Sequence, residues 1–155
     1  MFDSLLIPFR SQPQLPALPD GYSCASDRFP LPEELNALLV ACGDPSQPLA
    51  RLEAALQRST WQLSVRDPAD QLVGFVRVTS DMALNANLWD LSAHPADPQQ
   101  EQLMIVLVHT TLNRLRRELS GCSISVAATP MAQEALKRHG FVVDPGGIRA
   151  MGLKL

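Results

Sequence analysis

The spacing of apolar residues changes along this chain, and each change predicts a different element. Residues 32–43 carry leucines at helical spacing, and residues 48–56 repeat that pattern. A short strand is expected before them, at residues 21–26. Over residues 61–65 apolar and polar side chains alternate, which is typical of a strand with one buried face. The first part of the chain therefore predicts one strand, two helices and the beginning of a sheet.

The remainder of the chain continues with strands and two more helices. Residues 98–119 contain no glycine and no proline after Pro98, and a segment of this length favours a helix over a strand. Turn residues at 82–85 and at 144–147 separate neighbouring segments. The strands expected here are residues 72–79, 87–93, 122–127, 141–143 and 148–155, and the last helix is residues 130–139. The order β-α-α-β-β-β-α-β-α-β-β predicts an α/β layer fold.

Length and charge narrow the class of protein. A chain of 155 residues suits one domain, and its longest apolar run, residues 103–108, is far shorter than the ~20 residues of a membrane-spanning helix. The net charge of -3 argues against nucleic acid as a partner, because such partners select clustered basic faces. Three cysteines without a C-x-x-C pair predict a reduced, cytoplasmic protein that has no metal site. Four prolines in residues 1–20 predict an extended arm ahead of a domain at residues 21–155.

Three phrases in this order, LVGFVRV, LWDLSAHP and KRHGF, carry a family resemblance. Together with the order of elements they resemble the GNAT superfamily of N-acetyltransferases over roughly residues 21–155. The resemblance implies a mixed, mostly antiparallel central sheet with helices on both faces. It also implies acetyl-coenzyme A as the cofactor and a small-molecule or protein amine as the acceptor substrate.

The resemblance also assigns site residues. In the GNAT family one strand binds the pantetheine arm through its backbone, a Q/R-x-x-G-x-G/A turn binds the diphosphate through its amides, and a tyrosine often protonates the leaving thiolate. The tyrosine position corresponds to Leu136, which cannot donate a proton. The cofactor-binding residues that the resemblance implies are Leu91, Ser92, Ala93, Gln99, Gln100, Glu101, Gln102, Leu103 and Met104.

The turn departs from the family pattern at its glycines. Gln102 and Met104 stand where glycines would let an anion approach the backbone, and Glu101 adds a carboxylate that repels phosphate. The same residues also make sense as a helix that caps itself, with Asp97 at the N-cap, Pro98 at the first position and a glutamine at the third. The sequence leaves both interpretations open, a distorted cofactor site and a self-capped helix.

Asp90 is the predicted general base, because it lies in the strand that would flank the acyl group and has apolar neighbours. If the hairpin centres near residues 83 and 84, Arg77 falls opposite Asp90, and the pair is then a cross-strand salt bridge. Ser92 shares a face with Asp90 by strand alternation and could bind a substrate or cofactor amide.

Two functional hypotheses follow. The first is an N-acetyltransferase that depends on acetyl-coenzyme A, and the second is a GNAT-like module that binds a ligand or a protein without catalysis. Residues 103–108 are apolar all around the helix, so they need more cover than one sheet face gives. The sheet and the first two helices, the N-terminal arm, bound pantetheine or the partner in a homodimer could supply that cover.

Overall fold

The computed structural model describes residues 15–154, which form five strands and four α-helices. The strands are β1 (Ser23–Ala25), β2 (Trp61–Arg66), β3 (Leu72–Ser80), β4 (Asn85–Ala93) and β5 (Ser123–Val126). The α-helices are α1 (Pro32–Ala41), α2 (Leu49–Arg58), α3 (Gln100–Glu118) and α4 (Pro130–Arg138). A short 3-10 turn follows at Pro145–Gly147.

The strands form one sheet in sequence order. β1 to β4 are antiparallel neighbours, whereas β4 and β5 run parallel. One face carries Val65 and Val76 into a core shared with α3 and α4, with Leu107 of α3 fully buried there. The other face places Phe75 under a cluster of leucines from α1 and α2. The predicted fold class, a mixed and mostly antiparallel sheet with helices on both faces, is confirmed.

Helix α3 lies close to the sheet above Gly74. A Cβ atom at this position would stand 3.1 Å from Leu107 Cδ1 and 3.1 Å from Val65 Cβ. Both distances are shorter than ordinary van der Waals contact, so a side chain here would require Leu107 and Val65 to shift by a few tenths of an ångström. The glycine inside this strand therefore allows α3 to sit directly on the sheet.

Two predictions at the level of secondary structure are wrong. Residues 141–143 and the described part of residues 148–155 form no strand, and Val142 and Val143 are 67% and 68% exposed. Their apolar residues favour a strand, but the chain turns through Asp144, which has a φ of 47°, without meeting a neighbouring strand that could pair with it. Helix α3 begins at Gln100, two residues after the predicted start at Pro98.

Other bounds agree with the sequence to within one or two residues. Among the described helices none is long and apolar enough to cross a bilayer. The predicted arm is described only from Leu15 onward, so its first fourteen residues lie outside the described part, as does Leu155. From Leu15 to Asp20 the chain has no regular secondary structure, and Leu18 packs against the core beneath α3.

Candidate functional site

A bulge interrupts β4 in the middle of the sheet. Phe75 of β3 pairs with Ser92, but Arg77 pairs with Trp89, so two β4 residues oppose the single β3 residue between them. One of the two is Asp90, whose φ of 55° lies in the left-handed region. The bulge bends β4 and sharpens its twist at this point.

The strands β4 and β5 separate immediately before the bulge. Their parallel pairing ends at Leu88 and Val126, so the second half of β4 has no neighbour on that side among the described residues. The His94 amide donates to Val73 O on the β3 side, and strand alternation then directs the N–H and C=O groups of Leu91 and Ala93 into the gap. Gln100 Nε2 already donates to Ala93 O at 3.2 Å, so the gap offers the main-chain groups of Leu91 and the Ala93 N–H to an extended ligand.

Asp90 forms the cross-strand salt bridge that the sequence offered as one interpretation. Arg77 Nε donates to Asp90 Oδ2, and the side chains of the two residues are 18% and 23% exposed. The Arg77 guanidinium also lies 5.7 Å from the centre of the Trp89 ring. Trp89 Nε1 in turn donates to Thr79 Oγ1 at 2.8 Å. Asp90 is thus held in a polar cluster on the α1 and α2 face, and its role as a general base stays a prediction.

Ser92 is buried on the same face, as strand alternation predicted. The Cys42 thiol, just after the end of α1, lies near the Ser92 hydroxyl and donates to Ala93 O at 3.6 Å. Burial raises the pKa of Cys42, so this cysteine remains a neutral thiol around pH 7 and is a poor nucleophile. No pattern in the sequence indicates this contact, because α1 and β4 are far apart along the chain.

The beginning of α3 leaves backbone amides open. The Gln100 amide donates to Asp97 O at 3.1 Å, and the Leu103 amide donates to Gln99 O at 2.9 Å. Between them the amides of Glu101 and Gln102 have no acceptor among the described residues, and no side chain caps the helix. Asp97 is therefore not the N-cap that the self-capped interpretation required.

The Asp97 carboxylate is held elsewhere. Its Oδ1 accepts the Gln99 amide at 2.8 Å, and both of its oxygens lie near Tyr22 Oη, at 3.1 and 3.2 Å. Burial and the adjacent Asp97 raise the pKa of Tyr22, so its hydroxyl remains a proton donor well above neutral pH. The sequence could not reveal this pair, because 75 positions separate the two residues.

A cavity of about 320 Å³ adjoins the beginning of α3. Three of the predicted cofactor-binding residues line it, Gln100, Glu101 and Met104, together with α4 residues that include Glu134 and Arg138. Arg138 is the one cationic side chain in this lining, and no motif in the sequence singled it out. The lining contains two carboxylates, Glu101 and Glu134, and one guanidinium, Arg138. The attraction for an anion therefore has to come mainly from the open amides of α3.

The other predicted site residues fall in three places. Leu91, Ala93 and Leu103 turn their side chains into the core, so only their backbone can bind a ligand. Gln99 is exposed in the turn before α3. Gln102 Nε2 donates to Ala17 O at 2.8 Å and therefore points toward the N-terminal segment.

A second and larger cavity of about 530 Å³ lies beside the start of β2, where Trp61 and Arg114 line it together with residues of α2. It shares no lining residue with the first cavity, and none of the predicted site residues lines it. No group of three or more metal-ligating side chains occurs in the described chain, and Leu136, at the tyrosine position, is buried in the core.

The similarity to known proteins agrees with this geometry, although no family model matches the chain. The chain is 36% identical over 122 residues to the uncharacterised N-acetyltransferase ycf52 of Pyropia yezoensis, a match that covers 76% of this chain and 68% of the relative. It is 30% identical over 123 residues to the chloroplastic GCN5-related N-acetyltransferase 1 of Arabidopsis thaliana, covering 77% of this chain and 60% of that protein.

Solved structures share the fold. A Staphylococcus aureus protein described as a probable acetyltransferase superposes with a TM-score of 0.77 at 18% identity, covering 86% of this chain and 99% of the other. A GNAT family acetyltransferase of Streptococcus pneumoniae superposes with a TM-score of 0.63 at 16% identity, covering 86% and 97%. With a relative of 36% identity covered over two thirds of its length, the chain belongs to the GNAT superfamily of N-acetyltransferases.

Proposed function

We propose that this protein transfers an acetyl group from acetyl-coenzyme A to the amino group of a small molecule or a protein. The observation that carries the proposal is the gap between β4 and β5. The main-chain groups of Leu91 and the Ala93 N–H lack a β5 partner there, and β4 then leads toward the open amides of Glu101 and Gln102 at the start of α3. An extended arm followed by a diphosphate fits this arrangement.

The residues present fit the cofactor in spite of the missing glycines. The backbone of Leu91 and Ala93 would hold the pantetheine arm, and the amides of Glu101 and Gln102, with the positive end of the α3 dipole, would hold the diphosphate. Arg138 would add a positive charge across the cavity. When bound, acetyl-coenzyme A supplies an acetyl thioester, which is an activated acyl group.

The acceptor would approach from the face that carries Asp90. This carboxylate would take a proton from the acceptor ammonium, directly or through a water, so that the free amine can attack. Arg77 fixes the orientation of the carboxylate, and Trp89, 43% exposed beside it, offers an apolar surface to the acceptor. The proton on the departing thiol would come from solvent, because Leu136 has no proton to give.

The alternative hypothesis, a GNAT-like module without catalysis, rested on the turn that lacks glycines and on Leu136. The similarity to proteins named N-acetyltransferases does not favour it, and the open amides of Glu101 and Gln102 weaken the argument from the turn. A cytoplasmic location and the absence of a nucleic-acid partner remain part of the proposal, whereas two of the Arabidopsis thaliana relatives carry chloroplastic names.

Calorimetric titration with acetyl-coenzyme A tests the proposal. We expect a dissociation constant in the micromolar range. Replacing Glu101 with glutamine should tighten binding about two- to fivefold, since it removes a repulsive charge from the cavity. Glu53→Gln, which changes an equally exposed carboxylate on α2, is the matched control and should have no effect. Gln102→Glu should weaken binding. Absence of any binding at millimolar cofactor would overturn the proposal.

A further inference from the structure

The sequence around Asp97 is compatible with two starting points for α3. In the first, predicted from Asp97 and Pro98, the helix begins at Pro98, and the i to i-4 rule then bonds the Glu101 amide to Asp97 O and the Gln102 amide to Pro98 O. In the second, which the structure adopts, the helix begins at Gln100 and neither bond forms. The choice between the two starts decides whether these amides are available to an anion.

Asp97 is held in the conformation of the later start. Its amide donates to His94 O at 3.0 Å, and its carbonyl accepts the Gln100 amide, so it belongs to a turn and not to a helix. The Tyr22 hydroxyl reaches the carboxylate from outside the helix, and a hydrogen bond to an ionised acceptor is stronger than one between neutral groups.

The segment that carries Tyr22 is itself fixed near α3. The Tyr22 amide donates to Pro19 O at 3.2 Å, and both Leu18 and the Tyr22 ring pack against the core cluster. Two positions earlier, Ala17 O accepts the Gln102 side chain. The chain before β1 is thus anchored on both sides of the turn that contains Asp97.

We infer that Tyr22 and Asp97 form a positioning pair that sets the start of α3 at Gln100 and thereby keeps the Glu101 and Gln102 amides open for the cofactor diphosphate. In the family pattern, glycines give an anion access to the helix amides. In this protein the pair keeps those amides accessible. Tyr22 itself need not touch the cofactor. The inference rests on the proposed function, because it assigns the open amides to the diphosphate of acetyl-coenzyme A.

The first test needs no cofactor. Tyr22→Phe keeps the ring and its packing but releases the carboxylate, so the helix should extend back to Pro98. We expect the Glu101 and Gln102 amides to exchange with deuterium about tenfold more slowly, because they acquire acceptors, and the Pro98 and Gln99 Cα shifts to become helical. The control is Thr79→Val, which removes one hydroxyl that accepts a hydrogen bond on the opposite face of the sheet. Unchanged exchange in Tyr22→Phe would overturn the inference.

The second test measures coenzyme A binding in a double-mutant cycle. We expect Tyr22→Phe to raise the dissociation constant about five- to tenfold, and to have no further effect once Asp97 is alanine, since the released carboxylate is then absent. Pantetheine, which lacks the diphosphate, should bind both proteins equally. Equal coenzyme A affinity in wild type and Tyr22→Phe would contradict the positioning role of Tyr22 and Asp97, but it would not contradict the proposed function. Wild-type protein that binds no coenzyme A, while Tyr22→Phe still shifts the helix start, would instead refute the proposed function and the assignment of the amides to it.

Discussion

Asp90 has a φ of 55°, which asparagine tolerates much better than alanine does. The fold therefore places two requirements on this residue, and a single aspartate in the sequence does not reveal them separately. The backbone has to turn for the bulge, and the carboxylate has to meet Arg77. Because asparagine meets the first requirement and only part of the second, substitutions at this residue can separate the bulge from the charge.

The prediction at this residue concerns Asp90→Asn and Asp90→Ala. We expect Asp90→Asn to lower kcat about 100-fold or more and to lower the melting temperature less than Asp90→Ala does, because general-base catalysis and the charge on Arg77's partner are lost but the bulge is kept. Asp90→Ala should lower kcat equally and also destabilise the fold by about 1 kcal/mol, since alanine is strained at positive φ. Steady-state release of coenzyme A and thermal unfolding measure the two effects. Full activity of Asp90→Asn would mean that Asp90 serves only the salt bridge.

Helix α1 is attached to the sheet through an ion pair as well as through its leucines. Arg66 of β2 donates from Nη1 and Nη2 to the two oxygens of Glu34, each at 2.8 Å, and Nη1 also donates to Asp70 O at 2.8 Å. The Arg66 side chain is only 6% exposed. The hydrogen bonds from Arg66 hold the pKa of Glu34 below its usual value. Without the Glu34 carboxylate, Arg66 would be a buried charge that has no partner of opposite charge.

The prediction for this element concerns Glu34→Gln. We expect a loss of about 2 to 4 kcal/mol in the free energy of unfolding at pH 7, because Arg66 keeps its charge and loses its carboxylate. A carboxyl group whose pKa is lowered on folding stabilises above its unfolded pKa, and that contribution disappears as pH falls through the folded value. The difference between wild type and variant should therefore shrink as the pH falls below the usual glutamate pKa of 4.5 in urea titrations. A constant difference would assign the loss to packing.

The elements that the sequence predicts well are those set by local periodicity. Both leucine helices and the strands β2, β3 and β4 follow from apolar spacing within each segment. The start of α3 does not, because Tyr22 and Ala17 act on it from more than 70 positions away. The family resemblance assigns cofactor binding to β4. The bulge in β4 depends on its pairing with β3, so the spacing of apolar residues along the chain does not indicate it. Arg138 enters the cavity only when α4 docks beside α3.

On the scale of the whole molecule, the described chain leaves a sheet edge and an apolar segment uncovered. β5 is one of the two edge strands of the sheet, and β1 is the other. Beyond α4, the side chains of Ile148, Met151 and Leu153 are 74%, 97% and 87% exposed. An open edge and a segment of strand-forming residues are complementary, because an edge strand offers unpaired main-chain groups to a second chain. In the homodimer that the sequence offers as one possibility, this segment of one copy would pair with β5 of the other. Such pairing would cover both the open edge and the apolar side chains.

We expect the protein to self-associate through these surfaces. Sedimentation equilibrium between about 5 and 500 µM should show a monomer converting to a dimer, since a contact made by a short segment is of modest size and affinity. Replacing both Ile148 and Leu153 with lysine should shift the midpoint at least about tenfold upward, because the buried apolar area is lost and the charges repel pairing. Leu84→Lys, at an equally exposed site on the β3–β4 hairpin, is the control. If the double variant dimerises like wild type, the C-terminal segment does not form the interface.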